Sequence, residues 1–112
     1  YSPCEISLYA LSDEDQLRAS LAESALVVNT TTVGYPDDPG CLLTADMLRP
    51  ELIVADLVYN PRDTELIKLA RSCGCKTVDG AGPFVQQAAI AERLWLGREM
   101  PVDFVMETFF AE

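Results

Sequence analysis

The sequence predicts an α/β fold, part of a doubly wound parallel sheet of about four strands, with flanking helices and a helix at the carboxyl end. Three observations predict it. Short apolar runs at residues 6–11, 25–29, 51–59 and 76–78 read as strands, and stretches of helical spacing separate most of them. Strands that alternate with helices pair in parallel through right-handed crossovers. Residues 52–55 (LIVA) are continuously apolar, the pattern of a strand covered by helices on both faces.

The elements follow in order. Residues 1–5 carry a proline and no helical signal, and no initiator methionine precedes them, so the chain reads as starting within a longer protein. Residues 6–11 (ISLYAL) alternate as a strand with one better covered face. Ser12 suits a helix N-cap, and the acids at 13–15 complement the positive end of the helix dipole. Leu17 and Leu21 then share one face of a helix that runs to about Glu23. After the strand at 25–29 comes a loop rich in proline and acid at 35–40, then one helical turn at 44–48. The strand at 51–59 ends at Asn60-Pro61-Arg62. Asp63 and Glu65 mark the first turn of the next helix, Leu66, Leu69, Ala70 and Cys73 its inward stripe, and Gly74 its C-cap. A short strand at 76–78 leads into the turn Asp79-Gly80-Ala81-Gly82. Pro83 suits a first helical position, and that helix runs to Gly97. Val102, Val105, Met106 and Phe109 make a final amphipathic helix after Pro101.

Composition narrows the function classes. The 112 residues amount to one small domain, and 49% hydrophobic with 23% charged residues is ordinary for a globular chain. No apolar run approaches the roughly 20 residues that span a bilayer. No basic, apolar leader is present, so the cytoplasm is expected. Eight basic against eighteen acidic residues give a charge of -10, which argues against nucleic acid and anionic membranes as partners. An anionic small molecule at a helix N-terminus is still compatible with that charge. Cys4, Cys41, Cys73 and Cys75 occur without any histidine, and Cys-Gly-Cys is too tight for zinc-ribbon pairs, so no metal is expected. Acid–base chemistry would fall to Lys, Asp, Glu or Tyr, and the only lysines are Lys68 and Lys76.

Three segments converge on one sheet edge. Residues 26–34 (LVVNTTTVG) end a strand in amide, hydroxyls and glycine, and the carboxyl edge of an open parallel sheet is where ligands sit. Thr side chains can equally do no more than satisfy backbone groups there. Asp56 interrupts an apolar strand, so it needs a hydrogen-bond partner or the solvated edge, and Tyr59 can place a phenol near the same cleft. Asp79-Gly80-Ala81-Gly82-Pro83 is a glycine turn entering a helix, suited to close backbone approach to a ligand. It is not the dinucleotide fingerprint, which needs a long strand before it and a third small residue. Of Gln86 and Gln87, one should face the cleft and the other solvent.

Taken together, residues 26–34, 56–61 (DLVYNP) with Thr64, Asp79-Gly80, and Val85-x-Gln87 with Leu94-Trp95-x-Gly97 resemble the carboxyl-terminal half of the shikimate dehydrogenase family. The likeness runs from about Ile6 to Phe109, in order and in spacing. It implies that residues 1–112 are the carboxyl-terminal portion of a Rossmann-like dinucleotide-binding domain. The implied reaction is reversible hydride transfer between NADP(H), with NAD(H) as the alternative, and the C3 position of 3-dehydroshikimate or shikimate. Quinate is the alternative substrate.

By this resemblance Asn29, Thr30 and Thr31 flank the nicotinamide side of the cofactor, Leu57 touches the ring through its backbone, and Gly80 approaches it. Tyr59 and Gln87 stand at substrate positions. Pro83 and Tyr35 occupy positions where the family often has methionine, and Pro83 is carried as a cofactor contact. The family's glycine-rich pyrophosphate loop, its Asn-Arg-Thr segment and the domain with its catalytic lysine and aspartate have no match here. No catalytic residue is therefore expected on this chain, which reads as a fragment inactive alone. Lys68 and Lys76 lie on or beside an outer helix and are not assigned that role.

Two other readings stand beside it. One is a non-catalytic interaction module with a half-Rossmann fold, and on either reading the exposed sheet edge favours self-association. The other is a related dinucleotide-dependent enzyme, resembling glutamyl-tRNA reductase or methylene-folate dehydrogenase.

Overall fold

A computed structural model describes residues 3–111; Tyr1, Ser2 and Glu112 lie outside it, and with them part of the irregular lead-in expected at 1–5. Its sheet consists of β1 (Leu26–Asn29), β2 (Ile53–Asp56) and β3 (Lys76–Val78), all parallel and in that spatial order. Register sets Val28, Ala55 and Val78 in one row and brings Asn29 beside Asp56 at the carboxyl ends. The helices are α1 (Glu14–Glu23), α2 (Glu65–Ser72), α3 (Ala81–Leu96) and α4 (Val102–Phe109), with a 3-10 turn at Ala45–Met47.

The fourth strand expected at residues 6–11 does not form. Among the described residues that segment joins no ladder, and Ile6, Leu8, Tyr9 and Leu11 are all more than half exposed. Alternation alone does not make a strand when no neighbouring strand takes up its backbone groups.

Helix starts shift by small, explicable amounts. Asp13, not Ser12, caps α1: its carboxylate accepts the Gln16 amide at 3.1 Å, and a turn closed by Asp13 N–H on Ala10 delays the helix. At the other end the Arg49 guanidinium donates to the Leu21 and Ser24 carbonyls, satisfying acceptors that a helix leaves open. Thr64 caps α2, its hydroxyl accepting the Ile67 amide at 3.2 Å, so Asp63 falls outside the helix and pairs with Arg71. Pro83 is the third residue of α3 rather than the first, because the chain turns helical at Ala81. Proline is tolerated there, since first-turn N–H groups have no partner inside the helix. Gly74 and Gly97 adopt positive φ just beyond α2 and at the end of α3, as their stop positions require.

Leu21 of α1, Leu43, Leu52, Val54, Leu66, Ala70 and Cys75 form the main core, with Leu17, Val27, Met47, Leu48 and Cys73 packed around it. Cys75 is buried and donates to the Arg49 carbonyl, and desolvation pushes its thiol above the ordinary value. In α2, Ile67 is fully buried beside Leu66 and Ala70, a position the inward stripe omitted; Leu69 is half-buried. Full burial of one such side chain favours folding by about 1.5–3 kcal/mol.

Among the described residues the sheet is fully covered on one face only. Val54 and Asp56 point into the protein, while Leu26, Val28, Ile53 and Val78, on the opposite face by the strand alternation, are 37–52% exposed. The continuous apolar run at 52–55 therefore meets a helical layer on one side among the described residues, not on both. Cys41, Cys73 and Cys75 are free thiols, and among the described residues no helix is long and apolar enough to cross a membrane.

Candidate active site

Everything at the carboxyl edge is organised by the ends of β1 and β2. Asn29 is buried, and its carboxamide is fully occupied: Nδ2 donates to Asp56 Oδ1 and to the Val33 carbonyl, each at 3.0 Å. Its Oδ1 accepts the Thr31 amide at 3.0 Å and the Thr31 hydroxyl at 2.7 Å. The Thr31 hydroxyl in turn accepts the Val33 amide at 3.2 Å. Asn29 and Thr31 thus fold the 29–33 turn, while Thr30 is exposed beside them.

Asp56 is 1% exposed and accepts three hydrogen bonds, from Asn29, from the Val58 amide at 3.0 Å and from the Thr64 hydroxyl at 2.7 Å. The partner that its place in an apolar strand demanded is a set of three neutral donors. Val58 turns into the core, leaving Leu57 44% exposed and Tyr59 half-buried. The Leu57 amide donates to the Asn29 carbonyl at 3.0 Å, which seats this segment against β1.

Gly80 meets the same segment from the other side. A Cβ added there would lie 2.3 Å from the Val58 carbonyl oxygen and 2.8 Å from that of Leu57. Its φ of -75° suits any residue, so closeness alone requires glycine. Asp79 completes the turn: Oδ1 accepts the Ala81 amide at 3.0 Å, and Oδ2 pairs with Arg62 at 3.1 Å. The Arg62 guanidinium also donates to the Phe110 carbonyl, tying the end of α4 to this turn.

A cavity of about 340 Å³ opens between these loops, lined by Leu57, Tyr59, Pro83, Phe84 and Gln87. Of the residues expected at the site, Leu57, Tyr59, Pro83 and Gln87 share this cavity, with Gly80 packed behind Leu57 and Val58. Asn29, Thr30 and Thr31 are not among its lining; the first reaches it only through Asp56 and the Leu57 amide.

The sequence reading names Tyr35 only as a departure from the family pattern and does not name Phe84. Phe84 stacks on Tyr59 with ring centroids 4.0 Å apart, and Tyr35 meets the same ring edge-on at 5.7 Å. Burial, then the neighbouring Tyr59 phenol, raise the Tyr35 hydroxyl above its ordinary pKa. Phe84 sits three residues before Gln87 on α3, a spacing that could have placed the two on one face. Chemically, the cavity offers flat apolar walls, one phenol and one carboxamide. That suits a planar ring with a hydroxylated partner, and no lysine lines it.

Residues 80–108, from Gly80 through most of α4, match the family model of the Shikimate 5'-dehydrogenase C-terminal domain. The shikimate dehydrogenase (NADP(+)) of Listeria monocytogenes serotype 4b is 44% identical over 109 residues, 96% of this chain and 38% of the relative. The chain matches the carboxyl-terminal part of shikimate dehydrogenases.

Solved structures of the family share its fold. Shikimate 5-dehydrogenase from Listeria monocytogenes, in complex with shikimate and NAD, superposes with a TM-score of 0.85 at 43% identity, over 93% of this chain and 37% of that one. Quinate dehydrogenase from Corynebacterium glutamicum, in complex with NAD, gives 0.77 at 38% identity over 86% and 34%. The chain thus spans little more than a third of the length of the relatives it matches. It corresponds to their carboxyl-terminal part, and the family-model match begins at the glycine that closes the cavity's back wall.

Proposed function

We propose that this chain is the carboxyl-terminal part of the dinucleotide-binding domain of an NADP-dependent shikimate dehydrogenase, acting in aromatic amino-acid biosynthesis in the cytoplasm. The parent reaction is the reversible reduction of 3-dehydroshikimate to shikimate. The observation that carries this reading is the convergence of Leu57, Tyr59, Pro83 and Gln87, named from separate segments of the sequence, on one cavity. NAD is the alternative cofactor and quinate the alternative substrate, the latter favoured by the likeness to the Corynebacterium glutamicum enzyme.

The cavity fits a nicotinamide ring in kind, because its walls at Leu57, Pro83 and Phe84 are apolar and a flat heterocycle needs such faces. When bound, the cofactor supplies the hydride donor or acceptor. Leu57 and Pro83 would bound the ring, with Gly80 setting the Leu57 backbone and Asn29, Thr30 and Thr31 shaping the adjoining turn. Tyr59 and Gln87 would orient the substrate through a hydroxyl and a carboxamide. No residue of the chain is assigned the proton transfer. The bare sheet face and edge are assigned to self-association when the chain stands alone.

A chimera tests the proposal: this chain replaces the aligned 109 residues of the Listeria monocytogenes enzyme. Shikimate oxidation with NADP+ by the chimera, and none by the 112-residue chain alone, is the expected result. A chimera that unfolds as cooperatively as its parent yet turns over neither shikimate nor quinate sinks the reading. Turnover by the isolated chain would refute the assignment of proton transfer elsewhere.

A further inference from the structure

Asp56 is a buried carboxylate whose bonded partners are all neutral: an amide side chain, a backbone N–H and a hydroxyl. Burying such a group carries a desolvation cost that an apolar residue would avoid. What it provides is geometry. Three donors from three segments point at one side chain, and only a group that accepts at both oxygens satisfies all of them. An asparagine of the same shape would turn an N–H₂ toward one of those donors.

Each bond fixes a different loop. The bond to Asn29 Nδ2 decides which way that carboxamide faces, and so places its oxygen on Thr31 and closes the 29–33 turn. The bond to the Val58 amide bends the chain just after β2, sending Val58 inward and leaving Leu57 and Tyr59 at the cavity. The bond to Thr64 locks the N-cap of α2, whose first-turn dipoles favour a nearby negative charge. Gly80 bears on the Val58 carbonyl from the opposite side. The segment 57–59 is thereby held between a carboxylate and a glycine turn.

We propose that Asp56 is the positioning residue of this half of the site, its carboxylate setting the stance of Leu57 and Tyr59 toward cofactor and substrate without touching either. The proposal rests on the dehydrogenase reading given above. It assigns to one side chain the alignment of two contacts that lie on either side of the reacting centre.

The test pairs two measurements on Asp56→Asn. In the isolated chain, amide exchange at Val58 and Thr31 is expected to accelerate at least about tenfold, while amides of β3 and the middle of α2 keep their protection. In the active chimera, kcat is expected to fall about 10- to 100-fold per folded molecule with KM for shikimate little changed, as a misplaced contact does. Thr64→Val and Asn29→Ala, each removing one bond to the carboxylate, should give smaller losses of the same kind, and they serve if Asp56→Asn does not fold.

An unchanged kcat in Asp56→Asn, in a chimera whose unsubstituted form is active, overturns the proposal. So does exchange that rises uniformly across the chain, the mark of a merely structural role. An inactive unsubstituted chimera instead sinks the dehydrogenase reading, and local opening at Val58 and Thr31 would then still support Asp56 as the anchor of the 57–59 segment.

Discussion

The Thr64 hydroxyl donates to Asp56 Oδ2 at 2.7 Å and accepts the Ile67 amide at 3.2 Å, so one oxygen both caps α2 and neutralises part of a buried charge's demand. Thr64→Val keeps the shape and removes both bonds. The expected loss is about 2–3 kcal/mol, combining a lost cap with a buried acceptor left one donor short. Thr64→Ser should stay within about 1 kcal/mol of the parent, since the hydroxyl survives. Urea unfolding of the two variants checks this, and equal stability of Thr64→Val and Thr64→Ser would show that the hydroxyl contributes nothing.

Gly80→Ala should be far more damaging than an ordinary glycine-to-alanine change near a helix start. The new methyl would sit 2.3 Å from a backbone carbonyl oxygen, and backbone cannot swing aside as a flexible side chain can. A cost of about 3 kcal/mol or more is expected, at the upper end of overpacking. Crystals or exchange data should show Leu57 and Val58 displaced. A variant as stable as the parent, with residues 57–59 unmoved, would contradict the packing described here.

Cys75 links packing to pH. Burial raises its thiol pKa above the ordinary 9.0, so the folded state holds the proton at pH values where the unfolded chain has released it. The sign follows: this contribution is fully present below pH 9.0 and is lost as pH rises through the folded value. Tyr35 acts in the same sense, starting from its ordinary 10.0. Cys75→Ala should therefore flatten the fall of the unfolding midpoint just above pH 9.0, leaving the later fall due to Tyr35. Thiol labelling at pH 8 offers a second check, with exposed Cys41 modified first and Cys75 only on unfolding.

Much of the fold was legible because the signals are local. The stripe of α2, the stops at Gly74 and Gly97, and the last helix after Pro101 all sit within a few residues of what they specify. Residues 6–11 misled because their alternation says nothing about whether a neighbour strand is present. Residues 52–55 misled in a related way, since apolarity does not say which face will be covered. Leu57, Tyr59, Pro83 and Gln87, singled out through the family resemblance, line one cavity, yet what holds them there has no mark in the sequence. Asn29 and Asp56 are 27 residues apart, and Tyr35 reaches Tyr59 from a loop while Phe84 reaches it from α3. The contact between Gly80 and the Val58 carbonyl is a distance in space with no counterpart in spacing along the chain.

The uncovered face of the sheet bears on how this polypeptide behaves as a colloid. Leu26, Val28, Ile53 and Val78 form a sticky patch on a particle that carries a net charge of -10, so like-charge repulsion opposes adhesion between copies. That repulsion reaches about 10 Å at 0.1 M salt but only about 3 Å at 1 M. Adding salt, or acidifying toward the isoelectric point near 4.2, should therefore turn a clear dilute solution into growing scatterers, and light scattering will follow it. Val28→Lys, planted on the β1 edge of the patch, should keep the solution clear under the same conditions.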